Sequence, residues 1–372
     1  NMLTGEVPND NVANLPPSKL EDDINFRNII INGDMSIAQR GTSQASAGSG
    51  YNTCDRWRIQ QNSLGAFTQS QDTDVPTGQG FAKSMKFDCT TADASPATSD
   101  RLFIEQKFEG QNLQYLKKGT SSAESLTLSF WVKSVKTGTY IAQLYDVDND
   151  RSISKSYTID SASTWEKKTI TFAGDTTGTL GNDNSHDLSV RLYLGVGTNY
   201  SSGTLGTSWG TTVNANVAVG QVNLADSTSN EWYITGVQLE AGTSASDFEF
   251  LPTDINLKRC QRYYQNQGDF ELIVHRGRVA DTSGLRSGQY NYTGGEMRAE
   301  PTYTYDDGSS NASCVVIKKH GGTETSNINL RPFNKNNKHV YLMGTYNQST
   351  GLDAEGDIGS ALFNDMELDA EL

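Results

Sequence analysis

Cysteine is too sparse in this chain to hold it together. The 372 residues include four, Cys54, Cys89, Cys260 and Cys314, far apart and at no metal-ligand spacing. A disulfide framework is thereby excluded, and buried free thiols are expected. Histidine is as rare: His186, His275, His320 and His339 form no i, i+4 pair and have no neighbouring cysteine, so zinc is not expected. Positive charge is also short, with 30 Lys and Arg against 44 Asp and Glu and a net charge of −14. Binding to nucleic acid needs clustered cations against phosphate, so neither DNA nor RNA is expected as a partner, nor is anionic lipid. No window approaches the ~18 apolar residues of a membrane-spanning helix, so membrane insertion is not expected. The opening NMLTGEVPND is polar and reads against a secretory signal. G-x-S-x-G, Walker and dinucleotide fingerprints are absent, and no repeat of fixed period appears.

What is present is glycine, at 35 residues, together with much Ser, Thr and Asn and a mean hydropathy of −0.56. That profile belongs to many turns and short β-branched strands rather than long helices. NIIINGDMSIAQRG (28–41) alternates apolar and polar residues and reads as a half-buried strand, with Gly33 marking a close backbone approach. RLFIEQKFEG puts Leu102, Ile104 and Phe108 on one face. SLTLSFWVKS points Leu126, Leu128, Phe130 and Val132 inward and Trp131 outward. TGTYIAQLYD and RSISKSYTID flank a tight turn at 146–150. TWEKKTITFAG buries Ile170 and Phe172, and DLSVRLYLGVG buries Leu188, Val190, Leu192, Leu194 and Val196. EWYITGVQLE is apolar on both faces, as a central strand is. Some ten strands with no helix between them imply a two-sheet sandwich over 28–250.

Residues 1–27 carry Pro8, Pro16 and Pro17 and read as an extended linker. After Phe250, LPTDINLKRCQRYYQN has an N-cap at Thr253 or Asp254 and Leu257, Cys260 and Tyr264 at helical spacing. A second run of strands ends in NDMELDAEL, with Met366, Leu368, Ala370 and Leu372 on one side. The expected architecture is therefore all-β: a two-sheet β-sandwich, which the resemblance described next makes a jelly-roll β-sandwich, one short connecting helix, and a smaller C-terminal β domain over 251–372.

The pieces NIIINGDMSIAQRG, CDRWRI (54–59), LSFWVKS (128–134), TWEKKTITFAGDTTGT (164–179), WYITGVQLEAG (232–242), CQRYYQ (260–265), MRAEPT (297–302) and DAEL (369–372) stand in one order along the chain. In that order they resemble a family of bacteriophage tail-fibre and virion appendage proteins. More loosely, NGDM and the closing ITGVQLE are similar to the jelly-roll carbohydrate-binding modules of polysaccharide-degrading enzymes. The resemblance implies a non-enzymatic virion protein of the phage tail, forming a homotrimer with tail-protein partners and touching a host surface polysaccharide. Two other readings stand beside it: a depolymerase of envelope polysaccharide, and a purely structural spacer.

The candidate binding residues lie in the long Gly/Ser/Thr/Asn loop 197–220. Tyr200 and Trp209 are its only aromatics, and Asn199, Asn214 and Asn216 supply hydrogen-bonding amides. Trp131 and Trp57 are rival surface aromatics. Asp34 and Glu240 stand where the looser jelly-roll relatives hold a structural calcium; no other cofactor is expected. Asp146, Asp148 and Asp150 imitate the start of a calcium loop, but the sixth position is Arg151 and the twelfth Tyr157, so the run reads as a hairpin turn.

Overall fold

Strict alternation of inward and outward side chains builds most of the first unit. The computed structural model describes residues 26–276, 284–306, 317–319, 324–325, 330–335, 338–345 and 358–372. Nearly all of the expected leader, along with Cys314, lies outside the described residues. The chain divides into two compact units, Asn1–Pro252 and Thr253–Leu372.

In the first unit the strands are β1 (Ser43–Gln44), β2 (Gly50–Tyr51), β3 (Arg58–Asn62), β4 (Ala66–Asp72), β5 (Ser84–Thr91), β6 (Arg101–Glu109) and β7 (Leu126–Ser134). There follow β8 (Gly138–Asp146), β9 (Arg151–Ile159), β10 (Glu166–Phe172), β11 (His186–Val196), β12 (Gly210–Thr211) and β13 (Glu231–Ala241). They form a six-stranded sheet, β1-β4-β5-β13-β7-β10, and a seven-stranded sheet, β12-β9-β8-β11-β6-β3-β2. From β5 onward the chain crosses repeatedly from one sheet to the other, which makes the sandwich a jelly roll. Between the sheets lie Leu128, Phe130 and Val132 of β7, Leu102 and Ile104 of β6, Leu188, Val190 and Leu192 of β11, and Trp232 and Ile234 of β13, all essentially inaccessible. Phe130 meets Tyr157 edge-on across the sandwich, centroids 5.1 Å apart.

Three expectations need correction. Residues 28–41 form no strand. Asn32 and Met35 take positive φ, 58° and 59°, which breaks the two-residue period, and Ile30 is buried where Ile29 was expected. The segment still lies along β13, because buried asparagines replace the ladder. The Asn28 side chain accepts from the Ile30 and Leu239 amides and donates to the Val237 carbonyl; that of Asn32 bonds Ile37 and Asp55. Gly33 does make the close approach: a β-carbon there would lie 2.1 Å from the Val237 carbonyl oxygen. Second, Val196 leaves the inner face. A bulge between Tyr193 and Gly195 flips the end of β11, and Val196 packs on the outer face of the sheet. Third, Trp57 is no surface aromatic: it is wholly buried and donates its indole N–H to the Asn32 carbonyl at 3.1 Å.

The second unit opens with helix α1 (Thr253–Gln261), which buries Asn256 and Cys260. Among the described residues an eight-stranded antiparallel sheet follows, with the strands Tyr264–Arg276 and Ile358–Asp369 paired at its centre. Met366, Leu368 and Ala370 are buried as their alternation predicts.

Candidate functional site

Each sheet of the first unit gathers aromatic and polar side chains on its outer face. On the six-stranded sheet the centre is Trp131, held outward because its neighbours Phe130 and Val132 fill the core. Across the ladder it faces Lys167 on β10 and Thr235 on β13. Beyond Thr235, β13 bulges before regaining register at Gln238, and Gly236 sits in the bulge with φ 61°. A β-carbon at Gly236 would lie 2.5 Å from the Phe81 ring, so only glycine lets that ring come down on the strand. Phe81 then clusters with Phe248 and Phe250, the three centroid separations being 5.1, 5.1 and 4.8 Å. These elements enclose an open pocket of about 360 Å³ whose polar lining includes Gln79, Ser129, Lys167 and Asp247.

The same face continues past the pocket as a charged aromatic ridge. The Lys133 ammonium lies 4.1 Å from the centre of the Tyr233 ring and pairs with Asp74, which also accepts the Trp165 indole N–H at 2.9 Å. Lys86 pairs with Glu231 at 2.7 Å, and Glu231 accepts from the Tyr233 hydroxyl at 2.9 Å. Burial, then that hydrogen bond, pushes the Tyr233 phenol up to about 12, so it stays a donor.

On the seven-stranded sheet, buried Glu105 is clamped between Arg58 (2.8 Å) and Arg191 (3.0 Å). Burial alone would raise its carboxyl; the Arg191, Lys107 and Arg58 charges outweigh that and hold it below the usual range. The Arg191 guanidinium lies 4.0 Å from the centre of the Tyr145 ring.

The loop expected to bind ligand is folded back on this second sheet. Val217 and Ala218 pack on Phe103, Ile141 and Tyr193, and Tyr200 and Leu205 join them at the edge. The Tyr200 hydroxyl accepts from Arg101 at 3.0 Å, and that guanidinium lies 5.2 Å from the centre of the Tyr200 ring. Asn199 and Asn214 are exposed nearby, on two turns that lie against each other. Trp209 is elsewhere. Its indole N–H donates to the Ala173 carbonyl at 2.7 Å, and Lys118 lies over its ring. Tyr200 stands by Arg101, opposite Val196; Lys118 pairs with Asp146, opposite Leu188. Eight strand residues separate those ends, on the order of 25 Å, so Tyr200 and Trp209 do not share a site.

Asp34 and Glu240 are also apart. Thr235 touches the Asp34 carbonyl, five residues along β13 from Glu240, a separation on the order of 15 Å. The Glu240 carboxylate accepts from Ser246 and Gln238 and lies 3.6 Å from Arg27. The pocket was missed because Phe81, Phe248 and Phe250 join Trp131 in lining it only through the bulge at Gly236. The outward position of Trp131 was the signal that pointed there.

No family model and no curated protein matches the chain. Among solved structures, it is similar to the enzymatically active domain of tailspike protein 4 of bacteriophage CBA120, at 13% identity and a TM-score of 0.30 over 58% of this chain and 21% of that one. It is similar to a family 11 carbohydrate-binding module of a Clostridium thermocellum cellulosomal cellulase, at 13% identity and a TM-score of 0.28 over 54% of this chain and 97% of that one. A third is TmCBM61 in complex with β-1,4-galactotriose, at 11% identity and a TM-score of 0.29 over 58% of this chain and 99% of that one. The match thus spans about a fifth of the tailspike and nearly all of either module. Likenesses at this level carry no argument about ligand or role, and the jelly roll rests on its own strand pairing.

Proposed function

We propose that the chain is a non-enzymatic, glycan-binding appendage of a phage virion, with its sugar site at the Trp131 pocket. The observation behind it is the half-buried indole beside a carboxylate, an ammonium, a hydroxyl and an amide in one open pocket. A sugar ring has an apolar face to lay on the indole and hydroxyls for those polar groups, and binding pockets combine an apolar lining with a few placed polar groups in this way. The ridge of Trp165, Tyr233, Lys133 and Lys86 offers further subsites to a long chain. Asp247 is the one acid among the pocket-lining residues. A glycosidase needs two carboxyls flanking the bond, which favours binding over cleavage. The virion role is supported by the ordered sequence motifs that resemble tail-fibre proteins.

The test is binding of the full chain to an array of bacterial polysaccharides, beside Trp131→Ala and Tyr145→Ala proteins of unchanged melting temperature. Trp131→Ala is expected to weaken binding at least tenfold, about 1.4 kcal/mol, with Tyr145→Ala close to the parent. Loss on Tyr145→Ala alone would move the site to the opposite sheet. Release of reducing ends from a bound polysaccharide would replace this reading with a depolymerase.

A further inference from the structure

Where β8 turns into β9, the three aspartates of the turn go separate ways. Asp146 pairs with Lys118, and Asp150 accepts from the Tyr145 hydroxyl at 3.3 Å. Asp148 reaches the start of β11 instead, within hydrogen-bonding reach of the Asp187 carboxyl. Asp187 is 1% exposed, and neither of its carboxylate oxygens receives a hydrogen bond of good geometry. The Gly181 amide approaches it without supplying one.

Backbone oxygen crowds the same place. A β-carbon on Gly110 would lie 1.9 Å from Asp187 Oδ2 and 2.4 Å from the Gly181 carbonyl oxygen; one on Gly181 would lie 3.0 Å from Asp187 Oδ2 and 3.6 Å from Asp148 Oδ2. The Gly181 carbonyl accepts one hydrogen bond, from Gln114 at 2.6 Å, and keeps a second lone pair. The nearby cations are committed elsewhere: Lys118 to Asp146 and Asp175, Arg151 to Asp175. Among the described residues no Lys or Arg pairs with Asp148 or Asp187. Burial, then the Asp148 carboxylate, pushes Asp187 up to about 6, as two adjacent carboxylates without a counter-charge must.

We propose that Asp148 and Asp187, with the Gly181 carbonyl and water, form a calcium site that fastens the β8–β9 turn to the start of β11. The donors are oxygens, which suit a hard cation, and calcium completes its shell of six to eight with carbonyls and water. Asp148 is exposed, so the ion has a way in from solvent. The turn and the strand already meet through the Val147 amide, which donates to the Asp187 carbonyl at 2.9 Å. The place is distinct from Asp34 and Glu240, which lie along the other sheet.

The test uses the full chain stripped with EDTA and titrated with calcium chloride, read by melting temperature and by calcium retained after dialysis. The parent is expected to gain thermal stability with calcium and to hold one equivalent more than Asp187→Asn. Asp187→Asn is expected to fold, since it removes the unpaired charge, and to lose the calcium response; Asp148→Asn is expected to weaken it. An Asp34→Asn, Glu240→Gln protein is expected to respond as the parent does. No calcium-dependent shift in the parent, or a shift that survives Asp187→Asn, would overturn the proposal and leave a proton shared between two acids.

Discussion

Asp175 shows what one side chain contributes at the rim of the sandwich. It is 3% exposed, accepts two hydrogen bonds from Arg151 at 2.8 and 2.9 Å, and lies 3.0 Å from the Lys118 ammonium. Burial by itself would raise this carboxyl. The hydrogen bonds from Arg151 and Lys118 outweigh burial and hold it at about 2, below the ordinary 3.8. A depressed carboxyl stabilises the fold above its unfolded value and loses that contribution as pH falls through the folded one. The parent is therefore expected to lose melting temperature between about pH 4 and pH 2. Asp175→Asn is expected to be less stable at pH 7 by about 3 kcal/mol, the scale for breaking a buried pair. Its curve over the acid range is expected to be flatter. Parallel curves for the two proteins would show that the ion pair does not carry the effect.

Among the elements, the loop between β11 and β13 departs furthest from its composition. Its Gly, Ser, Thr and Asn suggest a free binding loop, yet it is anchored across the outer face of the seven-stranded sheet. The Ser154 hydroxyl donates to the Val217 carbonyl at 2.8 Å, and the Gln221 side chain accepts the Ile141 amide at 2.8 Å. The anchor is the apolar contact of Val217 and Ala218 with Phe103, Ile141 and Tyr193. Residues 197–220 are therefore expected to resist proteinase K in the native protein. Val217→Asp buries an unpaired charge there, so it is expected to free the loop and expose it to cleavage while the sandwich core stays folded. Equal cleavage of parent and variant would show that the contact does not hold the loop. Strand β4 was missed for a related reason. Its inward positions include Gln69, fully buried with its amide on the Met85 sulfur at 2.9 Å, so the apolar alternation that marks a strand is broken.

For the whole molecule, the two compact units and the leader before them bear on assembly. The leader, residues 1–27, is polar and carries Pro8, Pro16 and Pro17. The proposed tail-fibre role makes the chain a homotrimer. Light scattering at micromolar concentration is expected to return three times the 40.6 kDa of one chain. A monomer mass would remove the trimer from the proposed function without touching the glycan site.

By itself, the sequence determined the all-β class, the inward faces of β6, β7 and β10, and the central place of β13 in its sheet. It also determined the hairpin at 146–150, the short helix after Pro252 and the close approach at Gly33. Those features follow from local rules: side chains alternate at every residue of a strand, and a missing β-carbon marks where backbones touch. Tertiary structure alone decided the rest. A bulge at Gly236 brings the Phe81 ring down on β13 at the pocket that Trp131 lines, a bulge near Gly195 turns Val196 outward, and the asparagines of 28–41 replace the ladder that their alternation predicts. Asp148 and Asp187 stand 39 residues apart and become neighbours only because β8 and β11 pair with Leu188 opposite Asp146. Sites built on such pairings depend on register between distant strands, and register is a property of the packed sheet, set once both faces find their partners.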